Sequence, residues 1–188
     1  MKQRLSIASA VIVLGMFVLA AIPSVVFAKA GTGKNFANPS WNQTLSSSKR
    51  FIVLTNMNQE AVLDMETGLV WEKSPSTDNL SWYLAKSHCR VATTGNRKGW
   101  RVPTVEELSS LVDPSQANPA LPAGHPFTLP TTDADYYWSA STYASDAITD
   151  GSNALAVRFD TGGTFYGSKS SSSWHSWCVR GGAGYDTY

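Results

Sequence analysis

Cys89 and Cys178 are the only cysteines in a chain of 188 residues, and what they can form depends on where the chain goes. Lys2 and Arg4 precede an almost wholly apolar run from Leu5 to Ile22. Pro23 breaks that run, and the small-residue stretches VFA (26–28) and AKA (28–30) follow. This is the layout of a secretory signal peptide, with cleavage expected after Ala28 or Ala30. The run is nearly long enough to span a bilayer, so a retained N-terminal anchor is the other reading. No cysteine lies near the cleavage zone, which excludes a bacterial lipoprotein. In an oxidising compartment a single cysteine pair most simply forms one bridge. Such a bridge would close a loop of about ninety residues and stabilise the fold by roughly 4 kcal/mol in the loop-entropy account. Two free thiols or half of a metal site are the alternatives. The chain has no CxxC, and neither cysteine has a second ligand at zinc spacing.

Removing residues 1–30 leaves enough chain for one domain with a core of its own. The full chain has 15 Lys and Arg against 14 Asp and Glu, so the balance is near neutral with or without Lys2 and Arg4. That gives no electrostatic case for nucleic acid as a partner, which requires a clustered positive surface. A membrane partner is expected only if the N-terminal segment stays as an anchor. Residues 31–50 (GTGKNFANPSWNQTLSSSKR) are polar and aperiodic and read as a flexible leader. GTGK at 31–34 lacks the first glycine and the Ser/Thr of a phosphate loop.

The domain is expected over 51–182, with 183–188 as a frayed tail. FIVLT (51–55), AVLDM (61–65) and LVW (69–71) are β-type runs. Ser81 to Ala92 has helical period, with Trp82, Ala85, Cys89 and Ala92 on one face and Lys86, Ser87 and Arg90 on the other. WRV (100–102) is a short strand ended by Pro103. Thr104 and Glu107 then form a capping box that opens a second helix. Residues 113–135 hold five of the nine prolines and read as a long, irregular, exposed excursion. YYWSAST (136–142) resumes the β pattern, 143–153 reads as a polar loop, and ALAVRFD (154–160) with TFYG (164–167) makes a hairpin. A Ser-rich run (168–173) leads to a closing strand with Cys178. The fold class expected is α+β, with two helices, a twisted antiparallel sheet and long irregular loops.

Five fragments in register, TGLVW (67–71), the Trp82–Ala85–Cys89 spacing, GWRVPTVEEL (99–108), YWSAST (137–142) and WCVRG (177–181), resemble the C-terminal domain of the collagen-like adhesin of Legionella. The resemblance covers about residues 60–182. It implies a C-type-lectin-like fold, in which a first-helix cysteine bridges to the last strand, and a surface adhesin that binds sulfated polysaccharide. The Glu-Pro-Asn, Gln-Pro-Asp and Trp-Asn-Asp calcium motifs of sugar-binding lectins are missing, so calcium-dependent sugar binding is not implied. Formylglycine-generating and sulfatase-modifying enzymes share a helix start similar to Arg101–Glu106. They need two reactive cysteines near the chain end, where this sequence has only Cys178. The family's collagen-like stalk is absent too, as no Gly-x-y repeat occurs.

The expectation is therefore a non-catalytic recognition domain without a cofactor, exported to the periplasm, the cell surface or the medium, with a glycan or an envelope protein as partner. The alternatives are a structural envelope component and an oxidase relic. Candidate ligand-binding residues are of two kinds. Tyr143, Tyr166 and Trp174 adjoin loops and could stack on sugar rings, and His125 lies in the proline-rich excursion. Lys86, Arg90, Arg97 and Lys98 could hold an anionic polymer. Arg101 reads as an internal ion-pair or backbone partner. No metal site is expected; the weak candidates are Asp133, Asp135, Asp146 and Asp150, with Ile148 and Val157 standing where a calcium loop needs ligands.

Overall fold

The computed structural model describes residues 41–130, 136–145 and 148–181; the expected export segment and the tail at 183–188 lie outside them. The architecture is α+β. Helix α1 (Ser47–Arg50) leads into strands β1 (Phe51–Val53), β2 (Ala61–Asp64) and β3 (Val70–Glu72), followed by α2 (Trp82–Val91) and α3 (Val105–Ser109). Strands β4 (Tyr136–Ser145), β5 (Ile148–Arg158), β6 (Gly163–Ser168) and β7 (Val179–Arg180) complete the chain. There are two antiparallel sheets rather than the single one expected, in the orders β1-β2-β3-β7 and β4-β5-β6.

The period-2 alternation of a strand explains how one sheet serves two cores. In β2 every residue is buried. Val62 joins a cluster with Trp71, Leu108, Phe127 and Trp177, whereas Ala61 and Leu63 join a second with Trp82, Cys89, Trp100 and Trp138. Strand β5 does the same, Val157 facing the first cluster and Ala154 and Ala156 the second. Trp71, Trp82, Trp100, Trp138 and Trp177 are all buried, as the sequence suggested. Cys89 and Cys178 are bridged, with no exposure of either. The bond fastens α2 to the chain just ahead of β7.

Four expectations need correction. Residues 41–50, read as the end of a flexible leader, are docked on the domain. Arg50 is buried and donates to both oxygens of buried Asp64, at 2.9 and 2.8 Å, and to the Ser110 carbonyl at 2.7 Å. The Glu66 carboxylate accepts from the backbone N–H groups of Thr44 and Leu45, at 2.8 and 2.7 Å. A charge pair contributed from outside any periodic run leaves no local pattern to read.

The stretch 113–130 is not an exposed excursion. Ala120, Leu121 and Phe127 are buried, and Phe127 meets Phe51 and Trp177 edge-on at 5.1 and 5.0 Å. Single apolar side chains anchor it, so it has no period. Finally, most of 143–153 is strand: β4 runs on to Ser145 and β5 starts at Ile148, with Tyr143 opposite Asn153. WRV, by contrast, shrinks to one bridge between Arg101 and Val179.

Candidate functional site

Helix α2 begins where Ser81 caps it, its hydroxyl accepting from the Leu84 N–H. It contains no acidic residue. Lys86 and Arg90, four residues apart and hence on one side of the helix, stand over a groove of about 670 Å³. The helix lines one wall with Trp82, Tyr83, Lys86 and Arg90, while Trp100, Arg101 and Val102 line the other beside Ala140 of β4.

The aromatic walls are held in place by hydrogen bonds. The Trp82 indole donates to the Ser139 carbonyl at 2.7 Å, and the Trp100 indole to the Arg97 carbonyl at 3.0 Å. The Lys86 ammonium lies 4.4 Å from the centre of a Trp82 ring, as does that of buried Lys169. Cation–π attraction thus pre-orients Lys86.

Arg101 is neutralised. It donates to both Glu107 oxygens at 2.7 Å and to the Gly181 carbonyl at 2.8 Å, the internal partner role read from the sequence. Among the described residues neither Lys86 nor Arg90 forms a salt bridge. The groove therefore combines an apolar aromatic lining with two positive charges that no described carboxylate pairs. Arg97 and Lys98, the other half of the expected basic quartet, are exposed on the turn after α2 but do not line it.

The model of the Lcl C-terminal domain family matches residues 60–180. The chain belongs to that family. The matched span carries both cysteines, the Arg101–Glu107 pair and every groove residue. No curated protein matches the chain. Membership of the Lcl C-terminal domain family and a bridged cysteine pair are both compatible with an extracytoplasmic location.

In this Lcl C-terminal domain the other candidates are scattered. Tyr143 and Tyr166 stack on each other, centroids 4.2 Å apart and 7° from parallel, on the β4-β5-β6 sheet. Trp174, the expected exposed stacker, is partly buried. It packs on Trp138 at 4.2 Å and stacks on Tyr136 at 4.8 Å, and a side chain at Gly167 would collide with it.

His125 anchors its loop: Nδ1 accepts from the Phe127 N–H at 3.2 Å, and burial holds its pKa below the ordinary value. Asp150 is exposed and engaged by its own turn, where the Ser152 backbone N–H donates to it at 2.9 Å; hydrogen bonds from Ser152 hold its pKa low. Asp133, Asp135 and Asp146 lie outside the described residues.

The Ser-rich run is not all solvent-facing. Buried Lys169 donates to Thr142 Oγ1 at 2.9 Å and to the Gly151 carbonyl at 2.7 Å. The groove residues that sequence reasoning missed are Tyr83 and the edges of Trp82 and Trp100. Trp82 four residues before Lys86 was the available signal, since that spacing places a ring beneath a cation. The wall at 100–102 depends on tertiary packing and had none.

Proposed function

We propose that the domain is a non-catalytic, adhesin-like recognition module of the bacterial envelope or surface that holds an anionic glycan in the groove beside α2. The observation that carries this reading is the pairing of Lys86 and Arg90, which form no salt bridge among the described residues, with aromatic edges in one open groove. Sugar rings present apolar C–H faces that would stack on the exposed ring of Tyr83, and their sulfate or carboxylate groups would meet the two cations. Membership of the Lcl C-terminal domain family supports a surface role. The Cys89–Cys178 bridge occupies both of the chain's thiols, which leaves the oxidase reading without a nucleophile. The N-terminal signal layout supports export.

Retention on immobilised heparin tests the proposal. Two exposed contacts at ~0.5–1 kcal/mol each amount to about a tenfold loss of affinity, so Lys86→Glu with Arg90→Glu should elute at clearly lower salt than the parent. Arg97→Glu with Lys98→Glu should shift elution less, and Tyr83→Ala should weaken retention with little change in its salt dependence. Equal retention of the parent and the Lys86/Arg90 double variant would sink the reading.

A further inference from the structure

The two sheets have four edges, and three are closed or short. Strand β1 is three residues long and follows directly on buried Arg50. Strand β7 exchanges backbone hydrogen bonds with Arg101 through Val179, at 2.9 and 2.8 Å. On β4, Tyr136 and Trp138 bond to His175 at 2.9 and 3.0 Å, and the Ala140 N–H donates to the Pro103 carbonyl at 2.6 Å.

The fourth edge, β6, differs. It keeps an unbroken register with β5 over all six residues, and among the described residues it pairs with nothing else. Thr164, Phe165 and Tyr166 are consecutive exposed residues, Phe165 at 39% and Tyr166 at 52%. The strand, GTFYGS, carries no charge, no proline and no bulge. These are the devices by which soluble proteins normally blunt an edge.

We propose that β6 pairs antiparallel with β6 of a second copy of this chain about a two-fold axis, joining two three-stranded sheets into one of six strands. The pattern of the strand suits itself. Centred on Phe165, the pairing sets Gly163 opposite the second copy's Gly167, Thr164 opposite its Tyr166, and Phe165 opposite its Phe165. Opposed residues share a face of the joined sheet, and a neutral strand meets its copy without like-charge repulsion. Both large rings are already braced, Phe165 edge-on to Tyr136 at 5.3 Å and Tyr166 stacked on Tyr143, so little side-chain freedom is lost on pairing.

Among the described residues β6 is the one edge of more than three residues open over its whole length, which favours the second copy over an open-ended assembly. An isologous contact between two such edges uses both and closes. The groove beside α2 draws no residue from β6, so this inference stands apart from the glycan reading.

Sedimentation velocity of the full chain in mild non-ionic detergent, from about 1 to about 200 µM, spans weak to moderate association. The expected mass is that of two chains at the upper end, halved by Thr164→Lys at the same concentration with an unchanged circular dichroism spectrum. A parent chain that stays at single-chain mass throughout would overturn the proposal, as would a dimer that Thr164→Lys leaves intact. If that variant fails to fold, hydrogen exchange on the parent decides. Amides of 163–168 should gain at least tenfold protection between the two concentrations, and protection independent of concentration would refute the pairing.

Discussion

Glu72, the last residue of β3, is held from two directions. The Thr94 hydroxyl donates to one carboxylate oxygen at 2.6 Å and the Cys178 N–H to the other at 3.1 Å. Desolvation nonetheless outweighs those bonds and the attraction of His88, and raises its pKa above the ordinary 4.5. The folded protein therefore binds this proton more readily than the unfolded chain, and Glu72 makes stability fall as pH rises through its folded pKa. His125 acts in the opposite sense. Its pKa is lowered by burial, so its contribution is present above the unfolded 6.5 and lost as pH drops below it. In Glu72→Gln the amide keeps both contacts if the Thr94 hydroxyl turns from donor to acceptor. That variant should lose the part of the stability gained on acidification from neutrality towards pH 4.5, with each pKa unit of separation worth about 1.4 kcal/mol. Urea unfolding across that range checks it, and an unaltered slope would contradict the assignment.

At the scale of elements, α3 shows why some structure is local and some is not. Five residues cannot sustain a helix alone. The Thr104 hydroxyl accepts from the Glu107 N–H at 3.3 Å, and the Glu107 carboxylate accepts from the Thr104 N–H at 2.8 Å while also binding Arg101. Thr104→Ala should cost about 1 kcal/mol in denaturant unfolding. Glu107→Ala should cost more, about 2–3 kcal/mol, because it also leaves the half-buried Arg101 without its carboxylate; the reverse order would show that the cap and not the ion pair holds this end. The box was legible because its two members are three residues apart, and so was the basic pair at 86 and 90. The 143–153 hairpin was not. Tyr143, Ala144 and residues 150–153 are all exposed or half-buried, and periodicity reports burial rather than extension. The groove was half legible for the same reason: α2 wrote its cations into the sequence at helical spacing, whereas Trp100 and Val102 reach the opposite wall only through tertiary contact.

For the whole molecule, the Cys89–Cys178 bond spans 89 residues of sequence and joins a helix to the closing strand across the second core cluster. Replacing both cysteines by alanine should lower stability by roughly 4 kcal/mol in thermal or urea unfolding. Because neither sulfur is exposed, a mild reductant should leave the native protein unlabelled by thiol reagents until denaturant is added. Immediate labelling would mean that this region opens without global unfolding. The family match begins at Glu60, one residue before β2, whereas the counter-charge of Asp64 sits on Arg50 and the clamp on Glu66 comes from Thr44 and Leu45. A gene fusion or recombination event that moved only the matched span would carry a buried carboxylate without its guanidinium. Any portable unit of this fold therefore includes Thr44, Leu45 and Arg50 as well as the matched span.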